Sequence, residues 1–363
     1  MKRKRSVLPL LALALLLPAL PARAEIAVTD MAGRTVSLPE TPKRIACLGP
    51  GALRLIVYLA ATDRVVGVEA MEKRHPTGRP YWIASPELHD LPSIGPGGPA
   101  AINRKPDLEA VLAAAPEVLF ITYMEAALAN EVQAALDIPV VVLSYGADAT
   151  FDETVFDSLG VAGAVLDAEA RAEAVVEYVQ TLQADLKKRT RDFPEAEKPR
   201  VWVGGIGHRG AHGLESTERD YFPLDWVHGR NLAREIDGGF GSHVFADKEH
   251  LLQLNPDIIF IDGGGRQLVM ADIRKKPEFY GALPAFQKRR VHQLLPFNYY
   301  ATNIGTAAAD AYAIGKILYP EAFANVSPAE KADEIYAFLV GEPVYADMAQ
   351  SFGDIGEVPG FLE

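Results

Sequence analysis

The sequence predicts an α/β fold of two lobes, each with a parallel-sheet core, joined by one long rigid α-helix. Three observations predict it. Apolar strand-like runs alternate with amphipathic helical stretches, the pattern of parallel sheets covered by helices. A unit of about 140 residues occurs twice. In the first copy Leu108-Glu109-Ala110-Val111-Leu112 leads through Pro116-Glu117 into an apolar run at 118–121. In the second, His250-Leu251-Leu252-Gln253-Leu254 leads through Pro256-Asp257 into an apolar run at 258–261. Between the copies, Ala168, Ala172, Val175, Val179, Leu182 and Leu186 recur at spacings of three and four, one apolar face of a helix longer than a small domain is wide. The expected division is a leader at 1–24, a first lobe at 25–166, the joining helix at 167–192 and a second lobe at 193–363.

The leader has a basic start, Met1-Lys2-Arg3-Lys4-Arg5, an apolar run at 7–20, and Ala22-Arg23-Ala24 as a small-x-small cleavage site. These are the parts of a secretory signal peptide, with cleavage expected after Ala24. No cysteine stands at that site to take a lipid anchor, and a soluble exported protein, in the periplasm of a double-membraned bacterium, is expected. Removing the leader takes Lys2, Arg3, Lys4, Arg5 and Arg23, leaving 31 Lys and Arg against 48 Asp and Glu, a net charge of −17. So acidic a chain is poorly suited to nucleic acid. Cys47 is the single cysteine, so no intramolecular disulfide forms, and its apolar neighbours mark it as a buried strand residue.

The elements follow in order. Residues 25–38 form a hairpin turning at Ala32-Gly33. A strand at 44–48 runs into Gly49-Pro50-Gly51, which opens a helix to 61, and 65–68 is the next strand. The stretch 69–103, rich in Pro, Gly and aromatics, is long enough to be a functional loop. A helix at 106–112, a strand at 118–121, a helix at 125–136, a strand at 140–143 and a helix at 152–166 complete the first lobe. In the joining helix, Asp167 is the expected N-cap, and Lys187, Lys188, Arg189 and Arg191 crowd the last turn, so both ends suit the helix dipole. Pro194 and Pro199 stop it. The second lobe has strands at 201–203, 258–261 and 291–294, a glycine-rich loop at 204–213, a polar aromatic stretch at 216–226, and closing helices at 306–318 and 328–339.

In open parallel sheets ligands bind beyond the carboxyl ends of the strands. Those ends, and the loops around them, carry Arg54, Arg79, Tyr81, Trp82, Tyr123 and Tyr145 in the first half. In the second they carry His208, Arg209, His212, Arg219, Tyr221, Arg266, Tyr299 and Tyr300. Arginines and aromatic rings of this kind suit charge-assisted bonds and stacking with an anionic ligand. Neither glycine loop is a nucleotide fingerprint, and no G-K-[ST] is present. His208 and His212 are four apart, but Gly207, Gly210 and Gly213 disfavour a helix there and no H-E-x-x-H follows. An exported metal-dependent hydrolase using these two histidines is the alternative of another class. No nucleophile elbow, catalytic cysteine or paired carboxylates stand out, so the reading is a non-enzymatic binding protein without a cofactor.

Thr29-Asp30-Met31-Ala32-Gly33-Arg34 with the strand after it, Asp63-Arg64-Val65-Val66-Gly67-Val68, the unit Pro106 to Ile121, the long helix and Lys248 to Asp262 give the chain a recognisable order. In that order it resembles the periplasmic substrate-binding proteins of ATP-driven importers for ferric siderophores, haem and cobalamin. The resemblance implies a ligand held between two lobes with little hinge motion, and delivery to a dimeric ABC permease with a cytoplasmic ATPase, by a monomer. It also implies that one glutamate on each lobe docks into arginine pockets of the permease, and the repeat assigns these to Glu109 and Glu249. Where many members carry Thr-Glu after the first strand, this chain has Ala52-Leu53-Arg54. Arg54 near a helix N-terminus makes a positive pocket, suited to a ferric chelate, to haem propionates, or equally to an oxyanion such as molybdate, which a few relatives of this fold bind. The aromatics tilt the expectation toward an iron chelate.

Overall fold

Two four-stranded parallel sheets organise the computed structural model, which describes residues 25–146, 151–207, 210–237 and 242–362. The chain starts with the hairpin β1 (Ile26–Thr29) and β2 (Thr35–Leu38). Asp30 closes its turn by accepting the amides of Ala32 and Arg34, and Gly33 adopts a left-handed φ of 75°. The first sheet has the order β4-β3-β5-β6, from β3 (Ile45–Leu48), β4 (Val65–Gly67), β5 (Val118–Thr122) and β6 (Val140–Leu143). β3 and β5 are buried along their whole length, as a central parallel strand must be. Around the sheet lie α1 (Ala52–Tyr58), α2 (Ala70–Arg74), α3 (Pro80–Ile83), α4 (Leu108–Ala113), α5 (Ala126–Leu136) and α6 (Thr154–Leu166).

The long helix is α7 (Glu169–Thr190), 22 residues and roughly 33 Å. Ala172, Val175, Val179, Leu182 and Leu186 are buried, as their spacing requires. Asp167 is not its N-cap. It takes a left-handed φ of 55° as the C-cap of α6, so only Asp167 and Ala168 separate the two helices and Ala168 stands at the N-cap of α7. The side chain that the sequence offers to one helix start is used by the backbone to end the helix before it.

The second sheet has the order β12-β11-β7-β9, from β7 (Arg200–Gly204), β9 (Arg230–Asn231), β11 (Ile258–Asp262) and β12 (Val291–Leu294). A separate antiparallel pair joins β8 (Ser216–Glu218) to β10 (His243–Phe245). Its helices are α8 (Phe222–Asp225), α9 (Lys248–Leu254), α10 (Arg266–Lys275), α11 (Pro277–Ala282) and α12 (Pro284–Gln287). The chain closes with α13 (Ile304–Leu318), α14 (Pro328–Val340) and α15 (Tyr345–Phe352). The sequence understates α13: every residue from Ile304 to Gly315 is buried. A helix apolar on all sides belongs inside the molecule, and α13 packs against α7, α8 and α14, while α14 reaches back to α1 and α3. One continuous apolar cluster therefore includes residues of both sheets, Phe120 and Val203 among them.

Candidate functional site

Gly51 makes the corner between β3 and α1. Its φ of 81° is left-handed, and a Cβ there would meet the Tyr145 ring at 2.6 Å. The corner points Arg54, in the first turn of α1, into the interior, where it is fully buried. Its Nη1 donates to the Thr302 carbonyl at 2.9 Å and to Tyr145 Oη at 3.4 Å; its Nη2 donates to the Tyr299 and Tyr300 carbonyls, both at 3.0 Å. The guanidinium also lies 4.9 Å from the Tyr81 ring centroid. The positive charge foreseen at this helix start is present, but backbone carbonyls between β12 and α13 answer it.

Arg79, just before α3, is fully buried too. Its Nη1 donates to Glu72 at 2.7 Å and to the Met71 carbonyl at 3.2 Å, and Tyr81 donates to the same Glu72 oxygen at 2.8 Å. The opposite edge of the fork, Nε and Nη2, has no partner. The rings of Tyr299 and Tyr300 each centre 5.2 Å from this guanidinium. Tyr300 further donates to Glu69 at 2.5 Å and accepts the Gly98 amide at 2.9 Å. Burial pushes the Glu69 carboxyl up to about 7, against the pull of its bonds from Tyr300 and the Gly49 amide. Arg54, Arg79, Tyr81, Tyr145, Tyr299 and Tyr300 are thus brought together around one segment, Phe297 to Asn303. Tyr300 and Ala301 there hold left-handed φ values of 58° and 65°, which strains any residue bearing a Cβ.

Other candidates lie elsewhere. Trp82 is buried, stacked on His89 at 4.5 Å. Tyr123, half-buried at the end of β5, donates its amide to Leu143 from a left-handed φ of 59°. Tyr221 is fully buried with an unpartnered hydroxyl, close enough to Asp310, Asp262 and Glu218 to feel their charge. Arg219 donates to the Ile236 carbonyl, at 3.1 Å from Nε and 2.8 Å from Nη2. Arg266 lies over Phe361 at 5.3 Å and keeps a buried Nε without a partner. The His212 ring packs on Phe245 at 5.1 Å. His208 and Arg209 fall outside the described residues, and among those described no group of three potential metal ligands gathers.

Sequence reasoning missed the buried acids. Glu69 and Glu72 lie within the stretch marked as a functional loop, but spacing alone gave no sign that they would orient Tyr300 and Arg79. Across the second sheet, Glu218 is pushed up to about 8 by burial and by nearby Asp262, and Asp262 to about 7 by burial. Asp310, fully buried and with one oxygen unpartnered, is raised well above the usual carboxylate range by burial. A hollow of 470 Å³ opens at the carboxyl ends of β3 and β5, lined by Gly49, Glu69, Thr122, Arg104 and Lys105 among others.

The repeat is reproduced residue by residue on the outside of the molecule. Asp107 caps α4 by accepting the Ala110 amide, and Asp247 caps α9 by accepting the His250 amide. Glu109 and Glu249 sit in equivalent first turns, both exposed. Ala115 and Asn255 end the two helices with φ values of 48° and 44°. Glu117 then accepts the Arg44 amide, and Asp257 the Arg200 amide.

The profile of a family described as Periplasmic binding protein matches residues 45–296, more than half of the chain. The chain is 23% identical over 337 residues to the molybdate-binding protein MolA of Haemophilus influenzae, covering 87% of this chain and 91% of that protein. Among solved structures it resembles a periplasmic solute-binding protein of Veillonella parvula, with a TM-score of 0.72, 19% identity and coverage of 91% and 97% of the two chains. The structure of MolA bound to molybdate gives 0.66, 19%, 87% and 98%. A periplasmic haem-binding protein of Pseudomonas aeruginosa gives 0.52, 23%, 77% and 94%. These proteins share the fold, and they are solute-binding proteins rather than enzymes. On the family match and on two parallel-sheet cores with the long helix between them, this chain belongs to the periplasmic binding protein family.

Proposed function

We propose that this protein is an exported receptor that captures a compact oxyanion of the molybdate class between its two sheets and delivers it to an ABC permease. The observation that carries the reading is the free edge of Arg79. A guanidinium buried with two unpartnered N–H groups is costly, and an acceptor offering two oxygens at the spacing of the fork offsets that cost. A tetrahedral dianion offers such a pair, and Glu72 holds the opposite edge so that the fork is oriented before the ligand arrives. The likeness to MolA supports the same ligand class.

Two facts weigh against the larger iron chelate that the aromatics had favoured. Tyr81, Trp82, Tyr145 and Tyr221 are at most 3% exposed, so they pack the interior rather than line an open aromatic cleft. Arg54 is already answered by three carbonyls. Access to Arg79 requires the segment Phe297 to Asn303 to draw back, and strain at Tyr300 and Ala301 lowers the cost of that movement. Glu109 and Glu249, exposed and without partners among the described residues, serve as the docking contacts for the permease.

Titration calorimetry with molybdate, tungstate and sulfate, alongside ferric catecholates and haem, tests the ligand class. Binding of molybdate or tungstate in one-to-one ratio, weakened about tenfold or more by Arg79→Lys, is expected. Heat from a ferric chelate or haem with none from any oxyanion overturns it.

A further inference from the structure

Five large apolar side chains are exposed among the described residues: Ile102, Leu112, Phe245, Leu252 and Leu268. Four of them fall within seven residues of Glu109 or Glu249. Two occupy equivalent places, since Leu112 follows Glu109 by three residues on α4 and Leu252 follows Glu249 by three on α9. Three residues along a helix is one turn, so each leucine shares a face with its glutamate. Leu112 is 48% exposed and Leu252 38% exposed, although the residues on either side of the repeat, Val111 with Ala114 and Leu251 with Leu254, are buried. Ile102 and Phe245 flank the two spots at 37% and 52% exposure.

Nothing in the packing of either sheet requires these leucines to face outward. A polar residue in the same position would satisfy the helix equally well, since Gln253, next to Leu252, is exposed without difficulty. A pair of apolar spots, each one turn from an unpaired carboxylate and repeated once per sheet, matches a partner that presents the same surface twice.

We propose that Leu112 and Leu252 are the affinity anchors of the permease-docking face, each seated in an apolar hollow beside a basic group on one subunit of a two-fold symmetric permease dimer. This rests on the reading of Glu109 and Glu249 as docking residues and adds a division of labour to it. The glutamates steer and orient encounter, an effect that salt screens. The leucines exclude water at the centre of each contact, an effect that salt does not screen.

The test measures binding of the full-length mature protein, with and without molybdate, and the ATPase activity it stimulates, on the cognate permease–ATPase complex in nanodiscs at two salt concentrations. Leu112→Ser and Leu252→Ser are each expected to weaken binding about tenfold, through faster dissociation and equally at both salts. Glu109→Gln and Glu249→Gln are expected to slow association chiefly at low salt. Leu268→Ser, the exposed leucine that lies on neither α4 nor α9, is expected to change nothing. Because both leucines are exposed, unchanged melting temperatures keep the serine variants interpretable, and ligand titration on each keeps the oxyanion reading separate. Serine variants that bind as wild type while the glutamine variants fail overturn the leucine inference alone. Serine and glutamine variants that all bind as wild type overturn the docking assignment with it.

Discussion

Arg54 and Arg79 are equally buried, and what answers their charge differs. Arg54 donates to three carbonyls of one short segment and to Tyr145. Arg54→Ala leaves those acceptors dry and unpaired, and we expect a loss of about 3 kcal/mol or more in denaturant unfolding. At Gly51 the left-handed φ and the Tyr145 ring both exclude a Cβ, so Gly51→Ala is expected to cost about 2 kcal/mol by the same measurement. Sequence reading named the arginines and tyrosines that meet here and missed their surroundings. Arginines and tyrosines at strand ends were visible as a set. That tyrosines would pack among themselves, and that Glu72 and Glu69 would fix Arg79 and Tyr300, depends on loop paths that spacing does not encode.

At the level of elements, the two repeats and the joining helix were legible because they rest on local periodicity and on turn chemistry that recurs. The pairs Asp107 with Asp247 and Glu117 with Asp257 do the same work in both copies. The exchange of roles at Asp167 was not legible, since an aspartate before a helix reads as a cap whether its backbone ends the preceding helix or not. Nor was the central position of α13, whose apolar run lacks an amphipathic stripe to say which neighbours it faces. The apolar face of α7 leads to a definite expectation: Leu186→Ala, at 0% exposure, should destabilise the protein by about 2–5 kcal/mol in thermal or urea unfolding.

For the whole molecule, the buried acids set a pH dependence. Glu69 and Asp262 hold their protons to about 7 and Glu218 to about 8, and burial raises Asp310 well above the usual carboxylate range, whereas in the unfolded chain all four ionise near the ordinary values of 3.8 and 4.5. Between those values and pH 8 the folded state binds more protons than the unfolded state, so stability falls as pH rises. His228 and His292, lowered chiefly by burial, act in the opposite sense, but only as pH falls below 6.5. Melting temperature is therefore expected to rise as pH is taken from 8 to 6.5, and a fall over that window contradicts the burial of these acids. The shared core and α7 also limit closure. Spin labels at the exposed positions 113 and 253, with the buried Cys47 left unlabelled, are expected to move by under about 3 Å on ligand binding. A large closure would refute the rigid reading.

The central claim is that the free edge of Arg79 is the anion site. Molybdenum anomalous scattering from crystals grown with molybdate tests it most directly. One strong peak is expected within bonding reach of Arg79 Nε and Nη2, with the segment Phe297 to Asn303 displaced from its place over that side chain. A peak at another site, or none in crystals whose protein binds a ferric chelate in solution, would contradict it.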